Sequence, residues 1–370
     1  MAGIYIHIPF CKQACHYCNF HFSTSLHYKK EVLEAMKAEI RMQKDYLQGE
    51  TLDTIYFGGG TPSLLDGTEF TELLKTIRDQ YTVTATPEIT LEANPDDINL
   101  QKLQAWQTAG VNRLSIGIQS FFDEDLTWMN RAHQADQAIN CLKLALPLFP
   151  NISIDLIYGT PGLSDERWIK NMETAVSLGV PHLSCYALTV ESKTPLDKMI
   201  REKKKAPTDP DVQAAQFRMG MDYLEAAGYE HYEISNFAKP GFRSSHNKSY
   251  WEGKKYLGIG PSAHSYNGSS RQWNVANNQR YLKEISAGNL PAETELLTPI
   301  QKLNEKIMIE LRTTEGLDLS VMDDQTKSSL LQKSSQYLER GLMIQEGNRL
   351  RLTKEGKLLA DGIAADLFFE

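Results

Sequence analysis

The stretch Cys11-Lys12-Gln13-Ala14-Cys15-His16-Tyr17-Cys18-Asn19-Phe20 places three cysteines within eight residues, at the spacing C-x3-C-x2-C. The preceding run, Ile4-Tyr5-Ile6-His7-Ile8, has a β-branched residue at every second position and predicts a strand that Pro9 ends. The cysteines are therefore expected on a loop that leaves the end of a strand. Thiolates on a compact loop bind iron–sulfur clusters or zinc, so the sequence predicts a metal centre here.

The number of thiols distinguishes two kinds of centre. A structural zinc site uses four protein ligands, so the loop would need His16 or His21 as the fourth. A [4Fe-4S] cluster held by three cysteines leaves one iron open to an outside ligand, and the spacing favours this cluster. A disulfide is disfavoured, since the N-terminal sequence shows no export signal and a reducing, cytoplasmic environment is expected.

The composition limits the partners of this chain. It has 370 residues and a net charge of −8, and its basic run at residues 201–205 contains no aromatic residue. That run predicts a solvated loop or helix end, and no nucleic-acid partner is expected. No apolar run approaches ~18 residues, so no transmembrane helix is expected. Cys141 and Cys185 lie in apolar patterns and are expected to be buried free thiols.

Residues 1–228 alternate six strand patterns with helical patterns. The predicted strands cover residues 4–8, 52–57, 88–91, 113–118, 152–158 and 182–190, and the helices cover 28–47, 69–80, 100–109, 123–146, 165–178 and 212–227. Such alternation implies α/β architecture with a parallel sheet and right-handed crossovers. Six units rather than eight predict a partial, open (β/α)6 barrel.

The rest of the chain predicts two further regions. Residues 229–294 show extended patterns at 229–237, 258–266 and 272–275 and predict a β-rich extension. Residues 295–370 show helices at 299–311 and 327–340, a hairpin within 342–352 and a helix at 354–367. This order predicts a winged-helix-like C-terminal α+β domain. Because the chain is acidic, a lid or docking module is favoured over DNA binding.

Several unusual residues fall at or near predicted strand ends, the rim on which barrels place function. They are the Gly58-Gly59-Gly60-Thr61-Pro62 segment, Glu92, Gln119 and Asp155. Each of these features also has a purely structural interpretation. The glycines could form a tight turn, Glu92 could form a salt bridge, and Asp155 could be a hydrogen-bonded structural residue. The residues alone do not separate these interpretations from ligand binding. Arg131 alone carries little weight, since most arginines are solvated.

The segment His246-Asn247-Lys248-Ser249-Tyr250-Trp251 combines an imidazole, an amide and two aromatic rings. Imidazole is a common axial ligand of haem iron, and aromatic rings suit a porphyrin face. On the residues alone, a core cluster with a hydrogen-bonded histidine is the favoured interpretation. His264 raises the same question, either as a backbone position near a nucleotide or as a second imidazole directed at a metal.

Together these motifs resemble the radical SAM (S-adenosylmethionine) family of oxygen-independent coproporphyrinogen III oxidases and HemW-type haem chaperones, over nearly the whole chain. The resemblance implies a [4Fe-4S] cluster on Cys11, Cys15 and Cys18, whose open iron binds S-adenosylmethionine. It also implies a set of residues around that molecule, namely Tyr5, Tyr17, Gly59, Gly60, Thr61, Glu92, Gln119, Arg131, Asp155, Ala187 and His264.

Two branches of this family differ in ways that the sequence shows. The oxidases have a further cysteine where this chain has Phe20, and they have a longer N-terminal extension. The motif of His246, Asn247, Tyr250 and Trp251 resembles the haem chaperones instead, and with it we expect these four residues to bind haem. The sequence therefore predicts a haem chaperone that passes its cargo to an acceptor haemoprotein.

Two other functions stay open at the sequence level. One is the oxidase reaction of porphyrin biosynthesis, in which a radical derived from S-adenosylmethionine removes hydrogen from propionate side chains and decarboxylation leaves vinyl groups. The other is a radical enzyme for another tetrapyrrole. The acceptor, the electron donor and the occurrence of turnover are not given by the sequence.

Overall fold

The computed structural model describes residues 1–370, and its first half alternates strands with helices as predicted. The strands are β1 (Ala2–Ile8), β2 (Leu52–Gly59), β3 (Val83–Ala93), β4 (Arg113–Gln119), β5 (Ile152–Tyr158) and β6 (His182–Ala187). The helices are α1 (Lys29–Met42), α2 (Gly67–Gln80), α3 (Leu100–Ala109), α4 (Asp123–Met129), α5 (Ala135–Ala145), α6 (Asp165–Ser177), α7 (Pro195–Arg201) and α8 (Pro210–Ala226).

The six strands are parallel and lie side by side in chain order. Strand β1 is buried at six of its seven positions, which explains its nearly continuous apolar sequence. Strand β5 has the same pattern, and Asp155 is the charged exception at its centre. The carboxyl ends of these strands form one rim, where the cysteine loop and the glycine segment lie.

The set of six strands is open, in agreement with the predicted partial barrel. The next elements are β7 (Glu230–His231), β8 (Asn236–Ala238), α9 (Ser245–Trp251), β9 (Tyr256–Ile259), β10 (His264–Tyr266), β11 (Ser270–Asn274), α10 (Asn278–Ser286) and β12 (Ala292–Leu296). Strand β8 pairs with β6, and β9 pairs with β1 in parallel. The later strands thus extend both edges into one twelve-stranded sheet.

The region of residues 229–294 is less β-rich than predicted. Its His246 motif forms helix α9, because the Ser244 hydroxyl accepts the Asn247 N–H at 3.2 Å and caps the helix. The Glu88 carboxylate also accepts the N–H groups of Ser245 and His246, at 3.0 and 2.9 Å, which favours a helix N-terminus at this position.

The C-terminal part has the predicted order of helices and hairpin. Its elements are α11 (Pro299–Glu310), β13 (Leu317–Asp318), α12 (Asp324–Glu339), β14 (Met343–Glu346), β15 (Arg349–Leu352), α13 (Lys354–Lys357) and α14 (Ala360–Asp366). Strands β14 and β15 form the hairpin, and β13 adds a third strand to it. This winged-helix-like unit has its own core of 13 residues, centred on Leu317, Leu330 and Leu350.

Two predicted elements were wrong in their extent. The helix expected at residues 123–146 is divided into α4 and α5, since Asn130 adopts a left-handed φ of 59° that ends α4. The strand expected at 182–190 ends at Ala187, and α7 follows it unpredicted.

The main core contains 56 residues and combines the barrel with the extension, for example Ile6 of β1 with Leu257 of β9 and Tyr281 of α10. Burial of these apolar side chains is the main source of stability. None of the helices combines the length and apolar composition that crossing a membrane requires.

Candidate functional site

The cysteine loop is anchored at its base and along its length. The Cys11 N–H donates to the Ser23 carbonyl at 3.0 Å, which ties the end of the loop to its start. The Asn130 side chain donates to the Ala14 carbonyl at 2.7 Å. Asn130 is the left-handed residue at the end of α4, so the break between α4 and α5 also positions the loop.

The three thiols do not converge on a single-ion position, and no group of three or more His, Cys, Asp or Glu side chains does so. The two candidate fourth zinc ligands have other partners. The Nδ1 atom of His16 lies 3.1 Å from the Trp128 carbonyl, and the Nε2 atom of His21 lies 2.7 Å from Asn278 Oδ1. Separated thiols on one loop suit a cluster, in which each thiolate binds a different iron.

Burial affects the chemistry of these thiols. It raises the pKa of Cys11 to about 11, against a smaller opposite effect of the Thr61 hydroxyl. Burial raises the pKa of Cys18 as well. Metal ligation requires the thiolate, so binding of iron to this loop releases protons.

A cavity of about 440 Å³ opens at the strand rim, and we call it the rim cavity. It brings together twelve of the residues predicted from sequence, namely Cys11, Cys15, Tyr17, Cys18, Gly59, Gly60, Thr61, Glu92, Gln119, Arg131, Asp155 and Ala187. Its volume lies within the range of small-molecule sites.

Two half-buried carboxyl groups of the rim cavity form no ion pair. Glu92 accepts the Tyr56 hydroxyl at 2.8 Å and the Gly59 N–H at 3.2 Å. Burial, with Asp155 nearby, raises the pKa of Glu92 to about 8. Burial likewise raises the pKa of Asp155 to about 6, against the Ser184 hydroxyl and the arginines Arg131 and Arg113. A ligand that carries a cation and hydroxyl donors, as S-adenosylmethionine does, fits these groups.

Arg131 lies against the cysteine loop rather than in solvent. Its guanidinium contacts Cys15 Sγ at 3.3 Å, Asn94 Oδ1 at 2.9 Å and the Gly117 carbonyl at 2.7 Å. Its Nε atom is buried without a partner. The side chain therefore links the loop to β3 and β4, with one donor left over.

The backbone at this rim is constrained. A Cβ atom at Gly60 would lie 2.5 Å from the Phe10 carbonyl oxygen, and Gly59 has a φ of 104°. Both positions therefore require glycine. Gln119 adopts a left-handed φ of 68°, which is unfavourable for a residue with a side chain and is typical of functional sites.

Four predicted residues line a second cavity, of about 710 Å³, which we call the outer cavity. They are Tyr5, Tyr250, Trp251 and His264. The outer cavity lies between the β1, β9 and β10 side of the sheet and helix α11. Phe20, which is 65% exposed, lines both cavities.

His246 and Asn247 line neither cavity. The His246 side chain is 1% exposed, with Nδ1 at 2.8 Å from Thr54 Oγ1 and Nε2 at 3.0 Å from the Tyr250 hydroxyl. Its ring stacks on Tyr56, the residue that donates to Glu92. Both imidazole nitrogens have protein partners, which is the arrangement of a hydrogen-bonded core histidine. The prediction that His246 belongs to a haem-binding motif stays a prediction.

The sequence did not indicate several residues that position the groups of the rim cavity. Asn94 holds Arg131 and also donates to the Thr61 hydroxyl at 3.2 Å. Its position directly after β3, two residues after Glu92, is a sequence signal that could have identified it. Tyr56 and Asn130 gave no local signal, because Tyr56 is one of several strand aromatics and Asn130 lay inside a predicted helix.

Comparisons with known proteins agree with this geometry. The Radical SAM superfamily matches residues 5–189, and the HemN C-terminal domain matches residues 297–359. A protein of Mycobacterium tuberculosis named heme chaperone HemW is 35% identical over 99% of this chain and 94% of its own. The protein of the same name from Bacillus subtilis is 34% identical over 98% of both chains.

The fold is that of a solved structure, coproporphyrinogen III oxidase (HemN) from Escherichia coli, described as a radical SAM enzyme. The TM-score is 0.85 over 99% of this chain and 90% of that one, with 24% sequence identity. At this identity the likeness concerns the fold.

Proposed function

This chain belongs to the radical SAM superfamily and, within it, to the haem chaperone branch of the coproporphyrinogen III oxidase-like proteins, and on this basis we propose that it binds haem and delivers it to acceptor haemoproteins. One observation carries the proposal. Relatives that match it over nearly their whole length, at 35% and 34% identity, are named haem chaperones.

The proposal includes a [4Fe-4S] cluster on Cys11, Cys15 and Cys18. When bound and reduced, such a cluster would supply one electron to S-adenosylmethionine. The rim cavity would take that molecule, with Glu92 and Asp155 facing its cationic and hydroxyl groups and the Gly59–Gly60 backbone approaching closely. We assign no catalytic residue.

Phe20 supports a chaperone over the oxidase of porphyrin biosynthesis. It occupies the position of the oxidases' extra cysteine, and its exposed apolar ring lies at the boundary of the two cavities. A phenyl ring can pack on a flat ligand but offers no thiolate to a metal.

We propose that the chain acts in the cytoplasm, where its five free cysteines would stay reduced. Its partners on this proposal are haem, an acceptor haemoprotein and an electron donor. No nucleic acid is included.

The test has two arms on the cluster-loaded protein under anaerobic conditions. In the first, the protein is loaded with haem and mixed with an apo-haemoprotein, and we expect the acceptor to gain the haem spectrum faster than it does from free haem. In the second, reductant, S-adenosylmethionine and coproporphyrinogen III are supplied, and we expect no divinyl product. Sustained product formation would overturn the proposal in favour of the oxidase.

A further inference from the structure

A strongly basic segment of this acidic chain lies against the cysteine loop, and we call residues 193–205 the basic segment. It contains six lysine or arginine residues and two acidic ones, a net charge of +4 in a chain of −8. It forms α7 and the turn that follows, and five of its six basic residues are exposed. Charge of one sign gathered in one place attracts molecules of the opposite charge.

Two polar contacts join the basic segment to the cysteine loop. The Leu196 N–H donates to the His16 carbonyl at 2.8 Å, and the Lys205 ammonium lies 2.9 Å from His16 Nδ1. The same ammonium lies over the Trp128 ring, 4.0 Å from its centroid. Leu196 is fully buried in a small apolar cluster against which Tyr17 packs. The basic segment therefore borders the predicted metal-binding loop directly.

The end of α7 does not account for the lysines that follow it. Cations near a helix C-terminus often serve to satisfy its last carbonyl groups. Here the backbone does so, because the Lys203 N–H donates to the Ile200 carbonyl at 2.9 Å and the Lys204 N–H to the Met199 carbonyl at 2.8 Å. These bonds also give the basic run a defined conformation, which leaves its side chains available at the surface.

Ion pairs within the basic segment compensate only part of its charge. Its two carboxylates are those of Asp197, which pairs with Arg201 at 3.0 Å, and Glu202, which pairs with Lys204 at 2.6 Å. Two carboxylates cannot neutralise six cations, so the excess of positive charge persists next to the cysteine loop.

We infer that the basic segment is the docking surface for the electron donor, and that this donor is a small acidic protein with a one-electron redox group. The inference rests on the cluster of the proposed function and adds the place and the charge of the donor. In the docked complex the donor is oxidised by one electron and the cluster is reduced by one, with no bond formed and no proton transferred.

The position of the basic segment favours an electron donor over other anionic partners. The three cysteines of the loop are partly exposed, so a cluster on them would lie close to the surface. No residue of the basic segment lines the outer cavity, and none is an aromatic residue on which a nucleic-acid base could stack. Transient redox complexes have small interfaces that rely on complementary charge, as an exposed basic patch provides.

The test uses the cluster-loaded full chain, with a flavodoxin as the acidic donor probe. Lys203→Glu combined with Lys204→Glu removes the net charge of the basic segment. Lys203 forms no ion pair and Lys204 pairs only with Glu202, so the content of iron and sulfide should not change.

The charge-reversed variant should bind oxidised flavodoxin about tenfold or more weakly at low ionic strength. Reduced flavodoxin should also reduce its cluster about tenfold or more slowly. Salt at about 1 M should remove both differences, because the Debye length falls to about 3 Å. Lys193→Glu combined with Lys198→Glu is a second pair of reversals in the basic segment and should have the same effect.

Lys44→Glu combined with Lys143→Glu is the matched control. It makes the same change of charge at two exposed lysines without ion pairs, one after α1 and one in α5. We expect this variant to bind flavodoxin and accept its electron as the unaltered protein does. Photoreduced deazariboflavin, a small reductant that needs no docking surface, should reduce the cluster at the same rate in every variant.

Four outcomes would overturn the docking surface. These are no binding of flavodoxin to the unaltered protein, equal flavodoxin kinetics in the unaltered and charge-reversed proteins, an equal loss in the control variant, and a loss confined to binding of phosphatidylglycerol vesicles. The last would assign the basic segment to a membrane surface instead. The proposed function fails separately, if the unaltered protein accepts the flavodoxin electron at the basic segment but transfers no haem.

Discussion

The rim cavity and the outer cavity lie side by side, yet their polar groups are arranged in different ways. In the rim cavity Arg131 is held by protein partners, and the half-buried carboxyl groups of Glu92 and Asp155 form no ion pair. In the outer cavity aromatic rings, among them Tyr250, Trp251 and Tyr266, form much of the wall, and Arg271 is paired with Glu305 at 2.6 Å. The rim cavity therefore offers carboxyl groups to a ligand with cationic or hydroxyl groups, whereas the outer cavity offers aromatic surface to a flat apolar one.

The comparison also shows how the sites are connected. Phe20 is the residue that lines both. Below the surface, the stack of His246 on Tyr56 supports Glu92 of the rim cavity, while Tyr250 extends from His246 to the outer cavity. The motif on α9 thus lies between the two sites and packs against both.

The largest effect, a loss of bound iron and sulfide, is expected from Cys15→Ala. This variant tests whether the two cavities bind their ligands independently. Loss of one of three thiolates should reduce bound iron and sulfide to near zero. Haem affinity should change by less than about twofold, because the cavities share one residue. Iron content and haem titration measure the two properties. Cys141→Ala is the control, since that thiol is buried elsewhere, in α5. A parallel loss of haem in Cys15→Ala would contradict the separation.

A smaller effect, on the pH dependence of the unfolding free energy, is expected from Glu92→Gln. This variant tests whether the Glu92 carboxyl group is neutral in the folded protein. The folded protein keeps the Glu92 proton up to a pKa of about 8, whereas an unfolded glutamate releases it near pH 4. The free energy of unfolding should therefore fall as pH rises through this interval, by up to about 1.4 kcal/mol per pH unit from this group. Denaturant unfolding of the ligand-free protein measures this slope.

Glu92→Gln should flatten the fall in stability across that interval. Asp155→Asn is the companion variant, and its effect should end near pH 6, where the raised pKa of Asp155 lies. Identical pH profiles in the unaltered protein and Glu92→Gln would show that the carboxyl group is not held in its neutral form.

The smallest effect on stability is expected from Tyr250→Phe, which tests how far the α9 motif depends on its internal hydrogen bond. Loss of the hydroxyl leaves His246 Nε2 buried without a partner, at a cost of about 1–2 kcal/mol in unfolding free energy. Denaturant unfolding of the ligand-free protein measures this loss. Tyr266→Phe is the control, since its hydroxyl forms no hydrogen bond in the same cavity. Equal stability of Tyr250→Phe and the unaltered protein would show that this hydrogen bond does not contribute.

Much of the rim could be predicted from the sequence, because a strand, its end and the residue that follows it are adjacent in the chain. The cysteine loop after β1, the glycines after β2 and Asp155 in β5 were identified in this way. Helix α9 was not, since Tyr250 and Trp251 favour strands and the helix depends on Glu88, more than 150 residues earlier. Asn130 was missed because a left-handed residue interrupts a pattern that otherwise continues as a helix.

The sequence by itself determined the partial barrel, the cysteine loop and the set of rim residues, since periodicity and residue type act locally. It also identified two histidines as candidates for iron. Only the tertiary structure distinguished them. His246 is buried and bonded to Thr54, 192 positions away in the chain, whereas His264 is exposed at the edge of the outer cavity. The reason is physical, because the hydrogen-bond partners of a buried imidazole come from distant parts of the chain, which only folding brings together.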